Sequence, residues 1–208
     1  MVFASSRESE EADLLLILKR FKALTPAGYA QTAINNIATG VQWLIVPRHP
    51  QRFDVVVQLC QEQGFSVSRR SAWAGAPEPA DIWVGDSLGE MAMYYALADL
   101  ALLGGSFAPL GGQNLIEAAA CGCPVVMGLH TFNFTQAAEV AVAAGAAFEV
   151  SDLDHALQKA WSLLQSDTDL QKAASAARNV SQAHRGAAAR TARAVCGLLK
   201  AAQVPAGD

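Results

Sequence analysis

The stretch from Leu100 to Gly128, LALLGGSFAPLGGQNLIEAAACGCPVVMG, constrains the fold more than any other part of the chain. It reads as a buried strand (Leu100 to Leu103), a glycine-rich loop (Gly104 to Gly112), a short helix starting near Asn114 and a second buried strand (Pro124 to Met127). Short apolar runs flanking a glycine loop and one helix make a βαβ unit, whose strands lie parallel with a right-handed crossover. Gly104, Gly105, Gly111 and Gly112 permit sharp turns and close approach of a ligand to the main chain. The helix behind them turns its free N–H groups toward the loop, a place where phosphate or ribose oxygens are well received. A nucleotide cradle fits this description, and so does a ligand-free βα connection.

The rest of the chain repeats the alternation. Met1 to Ala4 reads as a strand, with Ser5 and Ser6 as cap of a helix to about Lys22 whose first turn carries Glu8, Glu10 and Glu11. Val41 to Val46 is a second strand, stopped by Pro47-Arg48-His49-Pro50. A helix from Phe53 to Gln63 ends at Gly64, and strands follow at Phe65 to Ser68 and Asp81 to Val84. Ser87 and Glu90 match a capping box for a helix from Leu88 to Ala98. After Gly128 come a helix from Thr135 to Ala144, a strand from Ala146 to Val150 and a helix capped by Ser151 and Asp152. An alanine-rich helix then runs from Asp167 to about Ala202 with a break near Gly186. The segment from Thr25 to Gly40 carries turn residues and no assigned element. Alternating β and α elements predict one α/β domain, a Rossmann-like doubly wound parallel sheet. A chain that opens inside a core strand reads as part of something longer.

Of the 208 residues, 52% are hydrophobic, but alanine supplies much of this and no apolar run approaches the roughly 20 residues that span a bilayer. No secretory signal is visible, so a soluble domain is expected. A net charge of −4 argues against nucleic acid as a partner, while Arg48 and Arg52 still suffice for a single phosphate. Cys60, Cys121, Cys123 and Cys196 lack zinc-ligand spacing and read as reduced, small apolar residues. Neither a metal site nor a cofactor is implied.

In such a sheet ligands collect at the carboxyl ends of the strands. The loops there hold Arg48, Glu90, the run from Gly104 to Asn114, and His130. Each has a plain alternative: Arg48 and His49 as a solvated pair, Glu90 and Asn114 as caps, Glu117 as a charge that complements a helix dipole, His130 as a structural loop histidine. Taken together they form a coherent site. Arg48 offers a planar fork of donors to a phosphate, N–H groups near Gly112 to Asn114 complete the anion site, and Glu117 suits vicinal ribose hydroxyls. Phe132 and Phe134 are expected to pin their loop to the core.

PRHP at Pro47 to Pro50, DSLGEMAMYYALADLALLGGSFAPLGGQNLIEAAACGCPVVMG from Asp86 to Gly128, and HTFNF at His130 to Phe134 resemble the bacterial 3-deoxy-D-manno-octulosonic acid (Kdo) transferases of lipopolysaccharide assembly. The resemblance covers nearly the whole chain, but only the C-terminal, donor-binding half of a two-domain GT-B glycosyltransferase. It implies transfer of Kdo from CMP-Kdo to a lipid A precursor at the cytoplasmic face of the inner membrane. Both the acceptor and the membrane would be engaged by the N-terminal half, outside this sequence. It implies CMP contacts at Pro47, Arg48, Leu88, Gly89, Glu90, Asn114, Leu115, Ile116 and Glu117. A phosphate or sugar loop is implied at Gly104, Gly105, Ser106, Gly111, Gly112, Gln113 and His130. The general base is expected in the other half, so these residues by themselves would bind donor without transferring it. Members commonly read GGHN where this chain has Gly111-Gly112-Gln113-Asn114, and Gln113 carries no charge. A GT-B nucleotide-sugar epimerase and a non-catalytic nucleotide-binding module are the alternatives.

Overall fold

The computed structural model describes residues 1–23, 41–184 and 187–202. Strand β1 (Val2–Ser6) leads to helix α1 (Glu10–Ala23), β2 (Trp43–Pro47), α2 (Phe53–Glu62), β3 (Val67–Arg69) and β4 (Ile82–Val84). Helix α3 (Met91–Leu97), β5 (Ala101–Leu103), α4 (Ile116–Ala120), β6 (Val125–Met127), α5 (Thr135–Ala143) and β7 (Ala147–Glu149) follow. The chain closes with α6 (Leu153–Leu164), α7 (Asp167–His184) and α8 (Ala187–Ala202). The strands form one sheet in the order β3-β4-β2-β1-β5-β6-β7, and every pairing is parallel. This is the doubly wound α/β sheet expected from the sequence.

Both faces of the sheet are covered, which is why its strands are apolar throughout rather than alternating. Phe3, Ile45 and Leu102 point to the face packed by α1, α2 and α6 through Leu14, Val56 and Leu157. Their neighbours Val2, Ala4, Leu44 and Leu103 point to the other face, where Tyr94, Ala118, Ala138 and Ala177 cover them. The second layer is built largely from alanine, so its helices lie close to the sheet and much of the alanine content is thereby used.

Two expected helix starts are displaced. Ser5 and Ser6 belong to β1 and do not cap α1: Ser6 is fully buried and its hydroxyl donates to Glu11 Oε1 at 3.0 Å. Helix α3 begins at Met91 rather than Leu88, because the Ser87 hydroxyl is spent on the Glu90 carboxylate and on Tyr94 instead of a backbone N–H. Glu90 occupies the cap position without a side-chain cap bond. Asp152 does cap α6, accepting from His155 N at 2.9 Å. The anticipated break near Gly186 and the segment from Thr25 to Gly40 lie outside the described residues. All four cysteines are free. Burial pushes the thiols of Cys60 and Cys123 up to about 12, as inert core residues, whereas Cys196 is exposed on α8. Among the described residues no helix is long and apolar enough to cross a membrane.

The Asp152 cap gives a direct test. The His155 N–H first, then its ring and Ser151, hold the Asp152 carboxyl at about 2, below its ordinary 3.8. Because the folded value is depressed, the cap's contribution is complete above about pH 4 and disappears as pH falls through about 2. Asp152→Ala is therefore expected to cost about 1 kcal/mol at neutral pH. In urea titrations the difference from the parent chain should vanish near pH 2.

Candidate functional site

Strand β1 lies between β2 and β5, so the chain leaves it toward one edge and later resumes on its other side. That is a topological switch point, and it opens a crevice outside the carboxyl ends of β1 and β5. The loops singled out from the sequence follow β2, β4, β5 and β6, and these strands with β1 are contiguous in the sheet. The structure therefore brings Arg48, the 88–90 segment, the 104–117 segment and His130 to one end of the molecule. It also places the end of β1 and the loop that follows it, residues 5–9, at the centre of this row. The available signal is the polar run Ser5-Ser6-Arg7-Glu8-Ser9 at the close of a buried strand, of which Ser5 and Ser6 read as a helix cap.

That central loop is tightly held. Ser5 (φ 54°) and Ser9 (φ 72°) both adopt the left-handed backbone that non-glycine residues avoid. On one side Arg48 N donates to Ser6 O at 3.0 Å, and on the other Gly104 N donates to Ala4 O at 2.8 Å. Beneath it Glu10, only 1% exposed, accepts from Arg7 N (3.0 Å), Gly105 N (2.8 Å) and Phe107 N (3.2 Å). Its neighbour Glu11, also buried, accepts from Ser6 Oγ and from Arg52 Nη2 at 3.2 Å. Burial pushes both carboxyls above the usual range, opposed at Glu10 by the main-chain donors, Gly105 first, and at Glu11 chiefly by the Arg52 charge. The sequence places these glutamates in the first turn of a helix, where a carboxylate complements the dipole. Their burial follows from tertiary packing, which local pattern does not encode.

The glycine loop is used differently from the expectation that it leaves room for a ligand. A Cβ on Gly104 would meet Ser5 O at 2.4 Å, one on Gly111 would meet the Asn133 side chain at 2.0 Å, and one on Gly112 would meet His130 O at 3.2 Å. At these positions the absent side chains make space for neighbouring protein. Ser106 is fully buried, its hydroxyl donating to Leu103 O and accepting from Gly128 N, so its side chain is already engaged within the protein. Gly105 is also buried, and a Cβ there would meet Gln113 Nε2 at 3.2 Å, Gly112 O at 3.6 Å and Arg7 Cγ at 3.7 Å.

The other candidates divide by what already occupies them. Arg48 is exposed and forms no ion pair among the described residues, whereas Arg52 is committed to Glu8 and Glu11 and so is not the free phosphate cation expected. Glu90 pairs with Arg70 at 2.7 Å and bonds Ser87 and Tyr94, leaving little of its carboxylate for a ligand. Leu88 is 75% exposed beside Gly89 (φ 80°). Asn114 accepts from Ile116 N at 3.0 Å, the turn that starts α4. Leu115 is in the core, so only its main chain can face a ligand, and Ile116 is half-buried. Glu117 is exposed, and its carboxylate has no hydrogen bond or ion pair among the described residues. Pro47 is buried at the end of β2, and His130 is half-buried. Phe132, expected to anchor its loop, is instead 63% exposed.

A cavity of about 710 Å³ lies elsewhere. Its walls include Met1, Trp73, Trp83, Leu97 and Trp161, toward the amino ends of the strands, and it contains no candidate residue.

No family model matches the chain. It is 46% identical over 195 residues to the 3-deoxy-D-manno-octulosonic acid transferase of Bordetella pertussis, covering 92% of this chain and 42% of that protein. With the transferase of Haemophilus influenzae it shares 37% identity over 148 residues, 71% of this chain and 35% of the relative. The chain thus spans less than half the length of these relatives. Its structure matches the crystal structure of the C-terminal CMP-Kdo binding domain of WaaA from Acinetobacter baumannii, with a TM-score of 0.71 and 27% identity over 87% of this chain and 88% of that one. By sequence and by fold, the chain belongs to the 3-deoxy-D-manno-octulosonic acid transferase family.

Proposed function

We propose that residues 1–208 are the donor-binding domain of a two-domain GT-B transferase, and that they hold CMP-Kdo at the carboxyl ends of β2, β4 and β5. In the whole protein, Kdo would pass to a lipid A precursor with CMP leaving. The acceptor, the general base and the attachment to the cytoplasmic face of the inner membrane would belong to the N-terminal half. The observation that carries this reading is that Arg48, after β2, and Glu117, in the first turn of α4, are exposed and without an ion pair among the described residues, in a chain whose structural relative is a CMP-Kdo binding domain. Breaking the bond between the anomeric carbon and the phosphate oxygen builds negative charge on the leaving phosphate, and a guanidinium fixed beside it lowers that barrier. An ionised carboxylate accepts only, which suits vicinal ribose hydroxyls.

Calorimetric titration tests this. The chain is expected to bind CMP in preference to UMP. Arg48→Ala and Glu117→Ala should each weaken CMP binding by about 10- to 100-fold, the range for loss of a charged hydrogen bond. A preference for UMP, or no binding of either nucleotide, would overturn the reading.

A further inference from the structure

We propose that Arg7, on the loop after β1, is a second donor-contacting cation, and that together with Arg48 it brackets an anionic group of the nucleotide-sugar. The inference rests on the donor-site reading above and adds a residue to it. Four observations converge on Arg7.

Its loop stands at the switch point, between the Arg48 loop and the glycine loop, so a ligand spanning those two must pass over it. The Arg7 stem and the Gln113 amide nitrogen both lie against Gly105 of the glycine loop, 3.7 Å and 3.2 Å from where its Cβ would stand. Neither the Arg7 guanidinium nor the Gln113 amide nitrogen has an acceptor among the described residues, and both are donors.

The ion pairing is selective. Arg52, Arg69 and Arg70, all near this end of the sheet, are each matched to carboxylates: Glu8 and Glu11, Asp54 and Asp86, and Glu90. Arg7 and Arg48 form no ion pair among the described residues, although they follow adjacent parallel strands. Such strands are about 4.8 Å apart, so two unmatched cations at their ends repel until an anion joins them.

Finally, the loop is set before any ligand arrives. The Glu10 carboxylate fixes Arg7 N, and Ser5 and Ser9 hold unfavourable left-handed backbone, the kind of strain that collects where a side chain must be aimed. The anion is a phosphate or the carboxylate of the sugar acid, since both present oxygens that a guanidinium fork can grip.

The test is calorimetric titration of cytidine, CMP and CMP-Kdo into the chain and its Arg7→Ala and Arg7→Lys variants. Alanine keeps the main-chain N–H that Glu10 holds, so the variant should melt within a few degrees of the parent. Weakening of CMP by about tenfold or more, with cytidine unchanged and lysine restoring part of the loss, identifies the phosphate. Weakening of CMP-Kdo alone identifies the carboxylate. Arg7→Ala binding both ligands as the parent does overturns the role of Arg7 and leaves the donor site standing. A parent chain that binds neither CMP nor CMP-Kdo overturns both readings.

Discussion

Gly104→Ala is expected to destabilise the chain by about 3 kcal/mol or more, at the upper end of what overpacking costs. The new methyl carbon would stand 2.4 Å from Ser5 O, 2.6 Å from Ser6 Cα and 2.7 Å from Ser5 C. All three are main-chain atoms at the end of β1, so no side-chain rotation relieves the contact. Retreat of the loop would break the 2.8 Å bond from Gly104 N to Ala4 O, one of the links between the central strands. For a domain near this size, 1 kcal/mol corresponds to about 2–4 °C, so the melting temperature should fall by about 6–12 °C. Gly75→Ala is the control: nothing lies within 4 Å of its Cβ position and its backbone is not left-handed, so its effect should stay within about 0.5 kcal/mol. Gly104→Ala should also weaken CMP, because the displaced atoms carry Arg7. Equal melting temperatures for the two variants would show that β1 and the glycine loop do not pack as described.

What the sequence disclosed and what it withheld differ in physical kind. Runs such as Leu102–Leu103 and Val125–Met127 are buried on both faces, and burial of that sort is written in local composition, so the strands and their parallel sense could be read directly. The stops at Gly64 and Gly145 were equally plain, each with the positive φ that glycine takes without cost. The tasks of polar residues were not. Glu10 and Glu90 sit where a helix start welcomes acid, and only the approach of residues 95 positions away for one, and Arg70 for the other, decides how each is used. Arg48 and Arg52 look alike four residues apart, yet one is exposed and the other is clasped by Glu11. The site was legible as a set of strand ends and illegible as a set of free and engaged charges. The strand end at its centre escaped notice because Ser5 and Ser6 imitate a cap.

Glu10→Ala should have the largest effect of any single change at this end of the sheet. It removes the acceptor of Gly105 N and Phe107 N, on a loop packed under protein, and of Arg7 N. Each buried donor left unpaired costs about 1–3 kcal/mol, so a loss of about 3–5 kcal/mol is expected with the vacated volume included. Glu10→Gln separates shape from charge: it keeps one carbonyl oxygen but turns an NH2 group toward donors, and should fall between the two. The pH dependence has a definite sign. Burial raises the folded carboxyl above 4.5, so the native chain holds this proton when the unfolded chain has released it, and stability declines as pH rises from about 4.5 toward the raised value. Urea melts between pH 4 and 7 should show a shallower decline for Glu10→Gln than for the parent, with the remainder assigned to Glu11, whose carboxyl is shifted the same way. If Glu10→Ala were as stable as the parent at pH 7, the three N–H groups would have to find water, and the loop that aims Arg7 would not depend on this carboxylate.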